Sequence, residues 1–254
     1  MVKDLELFKK HFTPFNHNYA LIGGVACMLS MEKAGLDFRA TRDLDIVLFV
    51  EALNSTFAAT FWDFIKDGNY QFRQKSTGKK QFYRFHSPAT PSYPDIIELF
   101  SRTPEKVFLK KESHLTPIPI NEEISSLSAI LLNDDYYKFI HNGKILIDDI
   151  SIINPAHIIP LKAKAFLDLS SLSSKNIHVN AKDIRKHRND IIRLHQLLSP
   201  SEHIQLPISI QKDMKKFIDL IAKGSNLNLK SLGFKNISLN SLIDILKHTY
   251  GINP

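Results

Sequence analysis

The chain has 254 residues, 43% of them apolar, and a formal net charge of +7; that apolar content supplies a core for one or two compact units and argues against disorder. Its apolar runs stop well short of the roughly 20 residues a membrane helix needs, and the opening MVKDLELFKKHF carries Asp4 and Glu6 where a secretion signal wants a basic start, so a soluble, cytoplasmic protein with no membrane partner is expected. The lone Cys27, inside VACMLSM, excludes an internal disulfide and reads as a buried structural thiol, and no histidine spacing suits a zinc site.

In chain order, Tyr19 to Ile22 reads as a short strand entering Gly23-Gly24, followed by a helix over VACMLSMEK that stops at Gly35. DLDIVLFV is an apolar, β-branched run suited to a buried strand, and ALNSTFAATFWDFIKDG an amphipathic helix closed by Gly68. Tyr70 to Gln74 and Gln81 to His86 are predicted to form a hairpin around KSTGKK. After the Pro-rich loop SPATPSYP comes the strand DIIELFS, and HLTPIPI, LSAILL and KILIDDISII are expected to extend the sheet, with Asp134-Asp135 and Asp148-Asp149 as turn or strand-end acids.

From Asn154 the period becomes helical. Asn154-Pro155 is an N-cap followed by proline at the first helical position, and the helix it opens is expected to run to about Ser170 with a disturbance at Pro160. Residues 181–198, 208–223 and 238–248 give three more helices. The predicted architecture is therefore α/β (α+β): a mixed sheet with flanking helices in residues 1–153, then a basic helical bundle in 154–254. Charge divides at the same place. Residues 1–153 hold 18 Lys and Arg against 19 Asp and Glu, whereas 154–254 hold 15 against 7. A basic unit beside a neutral one suits a polyanion such as RNA or nucleotide phosphates, though a solvated basic surface would give the same count.

In RATRDLDIVLFV the residues Arg39, Thr41, Asp43 and Asp45 are spaced by two, so an extended segment projects them to one face, opposite Leu44, Ile46 and Leu48. Two carboxylates that close repel unless a cation lies between them, and Mg²⁺ is suited to the place because it takes one or two carboxylates plus substrate phosphates. Capping of a strand end, with Arg39 or Arg42 as partner, is the structural alternative. Gly23-Gly24, between strand and helix, lets backbone approach phosphate oxygens at a helix N-terminus.

These residues resemble the nucleotidyltransferase superfamily, marked by a Gly-Gly or Gly-Ser turn and, after a helix, a strand with Asp-x-Asp. More narrowly the chain is similar to the AbiEii/AbiGii toxin-type nucleotidyltransferases, whose strand motif R-x-T-x-D-x-D is matched by Arg39, Thr41, Asp43 and Asp45. The resemblance implies a nucleotidyltransferase fold in residues 1–153 and triphosphate over Gly23 and Gly24. It also implies Mg²⁺ (or Mn²⁺) on Asp43 and Asp45 and a third acid on a neighbouring strand. For that acid Asp95, at the mouth of DIIELFS, is chosen over Glu98, which would face the other way. In the helical part the family carries K-x-x-A-x-x-x-R and then K-D-x-x-D-L. Lys162 and Ala165 match the first, with Leu169 in place of the Arg; Lys186 and Asp190 match the second, with His187 and Ile191 as departures. Lys162, Lys186 and Asp190 are accordingly expected at the nucleotide, in a cleft between the two parts. The implied activity is transfer of a nucleotide from an NTP to RNA such as a tRNA 3′ end, with an antitoxin protein as partner. Transfer to a small molecule or a protein hydroxyl, and a non-catalytic binding protein of the same fold, stand as the alternatives.

Overall fold

The computed structural model describes residues 3–72, 83–102, 115–117, 128–224, 227, 229–234 and 236–252. It divides into two compact units, one of Met1–Leu29 with Arg39–Ile153, the other of Ser30–Phe38 with Asn154–Pro254. The chain is a mixed α/β protein, as its pattern predicts, and residues 30–38 are counted with the second unit rather than the first.

In the first unit, eight strands form one sheet among the described residues: β1 (Tyr19–Ile22), β2 (Asp43–Leu48), β3 (Arg84–His86), β4 (Ile96–Ser101), β5 (Leu115–Pro117), β6 (Ser128–Leu131), β7 (Lys144–Ile147) and β8 (Ile150–Ile153). Their order is β5-β6-β4-β2-β1-β8-β7, with β3 also paired to β4. β2 is central because its side chains from Leu44 onward are apolar and, Asp45 apart, buried. It runs antiparallel to β1 and parallel to β4. β7 and β8 form a hairpin whose two loop residues, Asp148 and Asp149, both have positive φ (48° and 63°), the conformation that matches strand twist in a two-residue loop. Of the hairpin predicted around KSTGKK, the structure describes β3 and a bridge from Gln71 to His86; residues 73–82 lie outside the described residues.

Helices α1 (Lys3–Phe12), α2 (Gly23–Lys33), α3 (Ser55–Asp67) and α4 (Asp134–Asn142) complete this part of the chain. Asn54 caps α3 by accepting from Phe57 N at 2.8 Å. Phe8 and Phe12 of α1 stack at 4.4 Å and meet Phe57, Phe61 and Phe64 of α3 and Tyr19 of β1 at centroid distances of 5.4–6.2 Å, a cluster of aromatic edges and faces that anchors α1 to the unit. The turn that follows α2 is closed at Gly35, where φ is +71°, and the Leu36 N–H reaches back to the Met31 carbonyl at 2.9 Å.

The second unit holds α5 (Pro155–Ser174), α6 (Ala181–Leu194), α7 (Ile208–Lys223) and α8 (Leu239–Tyr250). α5 packs against α6 and α7, and α7 against α8. Asn154 caps α5, accepting from His157 N at 3.0 Å. Contrary to expectation, α5 runs unbroken through Pro160. Proline has no N–H for the carbonyl four residues back, which is that of buried Ala156. The Tyr250 hydroxyl supplies the missing donor at 2.7 Å, from the last residue of α8. No described helix is long and apolar enough to cross a membrane.

Candidate active site

The glycine pair and the acidic strand meet because β1 and β2 are neighbours in a fixed register. Ile22, the last residue of β1, lies opposite Asp45, so Gly23 begins directly beside that side chain. Gly23 has φ +69°, and a methyl group on it would lie 2.7 Å from Asp45 Cγ and closer still to Oδ2. At Gly24 a methyl would lie 2.6 Å from Thr41 Oγ1. Both glycines are therefore needed to seat the motif residues against the first turn of α2, where backbone N–H groups lack helical partners and favour anions. Cys27, one turn along, donates its Sγ–H to the Gly23 carbonyl at 2.9 Å, a buried structural role.

β2 begins at Asp43, so Arg39 and Thr41 lie in the approach to the strand rather than in it. Asp43 and Asp45 are half-buried and share a face, while Leu44 and Ile46 between and beyond them are buried on the other. The parallel register with β4 sets Asp43 beside Ile96 and Asp45 beside Glu98. Side chains of paired residues on neighbouring strands project to the same side, about 4.8 Å apart. Glu98 therefore joins the two aspartates.

Asp95, the expected third acid, is placed differently. That residue precedes β4 by one position, which turns it to the opposite side, and its carboxylate lies 3.8 Å from Arg42 with both side chains more than half exposed. Glu98 is more enclosed and is held from its other flank by Arg84 of β3, whose Nη1 is 3.0 Å from Oε1. Arg84 was not singled out from the sequence. Its signal is the hairpin pairing of β3 with β4, which no spacing within either segment reveals.

In the second unit, Lys162 of α5 donates to Asp190 Oδ2 of α6 at 3.0 Å, and the two side chains are 5% and 0% exposed. The sequence spacing pointed instead to Lys186 with Asp190. Lys186 is half-buried on α6, but the carboxylate it was matched with is committed across the helix pair. Lys162 is thus part of a buried ion pair rather than an open ammonium. Lys164 and Asp168 form the expected exposed pair one turn apart, at 2.6 Å.

Among the described residues no three His, Cys, Asp or Glu side chains converge into a ready-made metal cage. Magnesium does not ask for one, since it keeps waters and substrate phosphates in its shell and uses one or two carboxylates. The shared face of Asp43, Asp45 and Glu98 fits that chemistry. No protein-family model matches the chain, nor does any curated protein.

Proposed function

We propose that the chain is a metal-dependent nucleotidyltransferase that moves a nucleotide from an NTP to an acceptor, RNA such as a tRNA 3′ end being the favoured one. The observation that carries this reading is the register that puts Asp43, Asp45 and Glu98 on one face, with the Asp45 carboxylate against Gly23. Asp43 and Asp45 would hold Mg²⁺ or Mn²⁺, with Glu98 beside them on the same face; the ion when bound neutralises phosphate charge and polarises the reacting oxygens. The first turn of α2 would receive phosphate oxygens on its backbone N–H groups. Transfer joins the acceptor hydroxyl oxygen to the α-phosphorus as the bond to pyrophosphate breaks and the hydroxyl proton leaves to a nearby base, a task for which a site carboxylate is suited. The excess of Lys and Arg in residues 154–254 supports a polyanionic acceptor. An antitoxin protein belongs to the proposal only through the motif resemblance.

The test is incubation of the protein with each labelled NTP, Mg²⁺ and total tRNA. Label is expected on RNA, and Asp43→Ala, Asp45→Ala and Glu98→Gln should each abolish it while Asp95→Asn leaves it near wild type. Label on protein or on a small molecule would redirect the acceptor. One observation favours a second reading, a non-catalytic nucleotide- or RNA-binding protein: Lys162 and Asp190 satisfy each other in a buried pair. Binding of NTP without transfer under any of these conditions would establish that reading instead.

A further inference from the structure

Among the described residues, two arginines on α6 stand without an acid. Arg188 is half-buried on the flank of the helix beside the fully buried Ile191 and Ile192. Arg185, three residues earlier and so one turn away, is exposed on the same side. Among the described residues no carboxylate lies in ion-pair contact with either guanidinium. The acids of α6 are placed elsewhere: Asp190 is committed to Lys162, and Asp183 is five residues from Arg188, roughly 140° around the helix. What Arg188 has is the Asn189 Oδ1, 3.4 Å from both Nε and Nη2, a distance at which a hydrogen bond is weak.

This is an unfavourable arrangement for the chain by itself. Burial and the like charge of Arg185 hold the Arg188 guanidinium below the usual arginine range. A cation partly removed from water, repelled by a neighbour and lacking a counter-ion, costs free energy that an anion between the two would recover. Two planar forks one helical turn apart suit a tetrahedral oxyanion better than a carboxylate, because each fork can donate two parallel N–H bonds to different oxygens. We propose that Arg185 and Arg188 form a binding site for a phosphate group. The phosphate comes from a nucleotide or from an RNA backbone. The site stands whether or not the first unit transfers nucleotides, since it rests on α6 alone.

The experiment is a binding titration of the full chain with inorganic phosphate, ATP and a single-stranded RNA oligonucleotide, run on wild type, Arg185→Gln and Arg188→Gln. Melting is followed in the absence of anion. Each substitution is expected to weaken at least one probe about tenfold or more, the worth of losing a charge-assisted hydrogen-bond pair. Without anion, Arg188→Gln should melt at or above the wild-type temperature, because a repelled cation has gone. Weakened ATP and unchanged RNA assign the phosphate to a nucleotide, and the converse to RNA; either supports the site. Unchanged affinity for all three probes overturns it, as does a lowered melting temperature with unchanged affinities, the mark of an arginine that only packs. No transfer is read in this assay, so its failure is separate from failure of the enzymatic reading.

Discussion

Replacing Gly23 with alanine tests the geometry on which the candidate site depends. Two costs add. The residue sits at φ +69°, where a side chain costs about 1–2 kcal/mol. The new methyl would also stand 2.7 Å from Asp45 Cγ, so the carboxylate has to move by roughly an ångström, a misplacement that costs on the order of a hundredfold in rate at a reacting centre. The two costs are separable. In an Asp45→Ala background the collision with the carboxylate is gone, leaving the backbone strain and a 3.1 Å approach to the residue-45 Cβ, so Gly23→Ala should destabilise that variant by about 1–2 kcal/mol and the wild type by more. Urea unfolding of the four proteins gives the coupling directly and needs no knowledge of the substrate. If Gly23→Ala costs the same in both backgrounds, the carboxylate does not lie against the glycine and the site as described is wrong.

Tyr250→Phe should cost about 1–3 kcal/mol, because it leaves the buried Ala156 carbonyl without a donor, and the cost should shrink when Pro160→Ala restores the helical N–H; a urea double-mutant cycle measures this. Lys162→Met should destabilise by about 3–5 kcal/mol by stranding Asp190 in the interior, while Lys162→Met with Asp190→Leu should recover most of that in the same unfolding assay. His157 is 9% exposed and burial pulls its pKa down to about 4, so the unfolded chain takes up its proton first as pH falls. Its contribution is intact above about pH 6.5 and is lost towards pH 4, about 3 kcal/mol in all, and His157→Gln should flatten that stretch of the stability-pH curve. His195, lowered by burial in the same direction, adds to the slope with the same sign.

Features set by one stretch of chain were legible. α7 occupies Ile208–Lys223, the segment marked by its helical period, because Pro207 and Gly224 bound it and Ile210, Met214, Phe217, Ile218 and Ile221 fall on one face. The Asp43–Asp45 alternation and the Gly23-Gly24 turn were legible for the same reason. α1 is not among the elements expected from the sequence, although Leu5, Phe8 and Phe12 carry helical spacing and are buried.

Pairings between elements escaped in a consistent way. Glu98 and Asp95 were recognised as facing apart, but which of them shares a face with Asp43 is decided by the register of β4 on β2, and a shift of one residue would exchange them. Asp190 was given to Lys186 because sequence spacing sees only neighbours on the same helix, where an exposed pair is worth a few tenths of a kcal/mol. A buried carboxylate has far more to gain from a partner that is buried with it, and Lys162, 28 residues away on α5, is that partner. Pro160 follows the same logic: the local rule that proline interrupts a helix holds only if the carbonyl it orphans finds no other donor, and Tyr250 provides one from the far end of the unit. For Asp190 and for Pro160 the local preference was worth less than the cost of leaving a buried polar group unpaired, so the long-range partner prevailed.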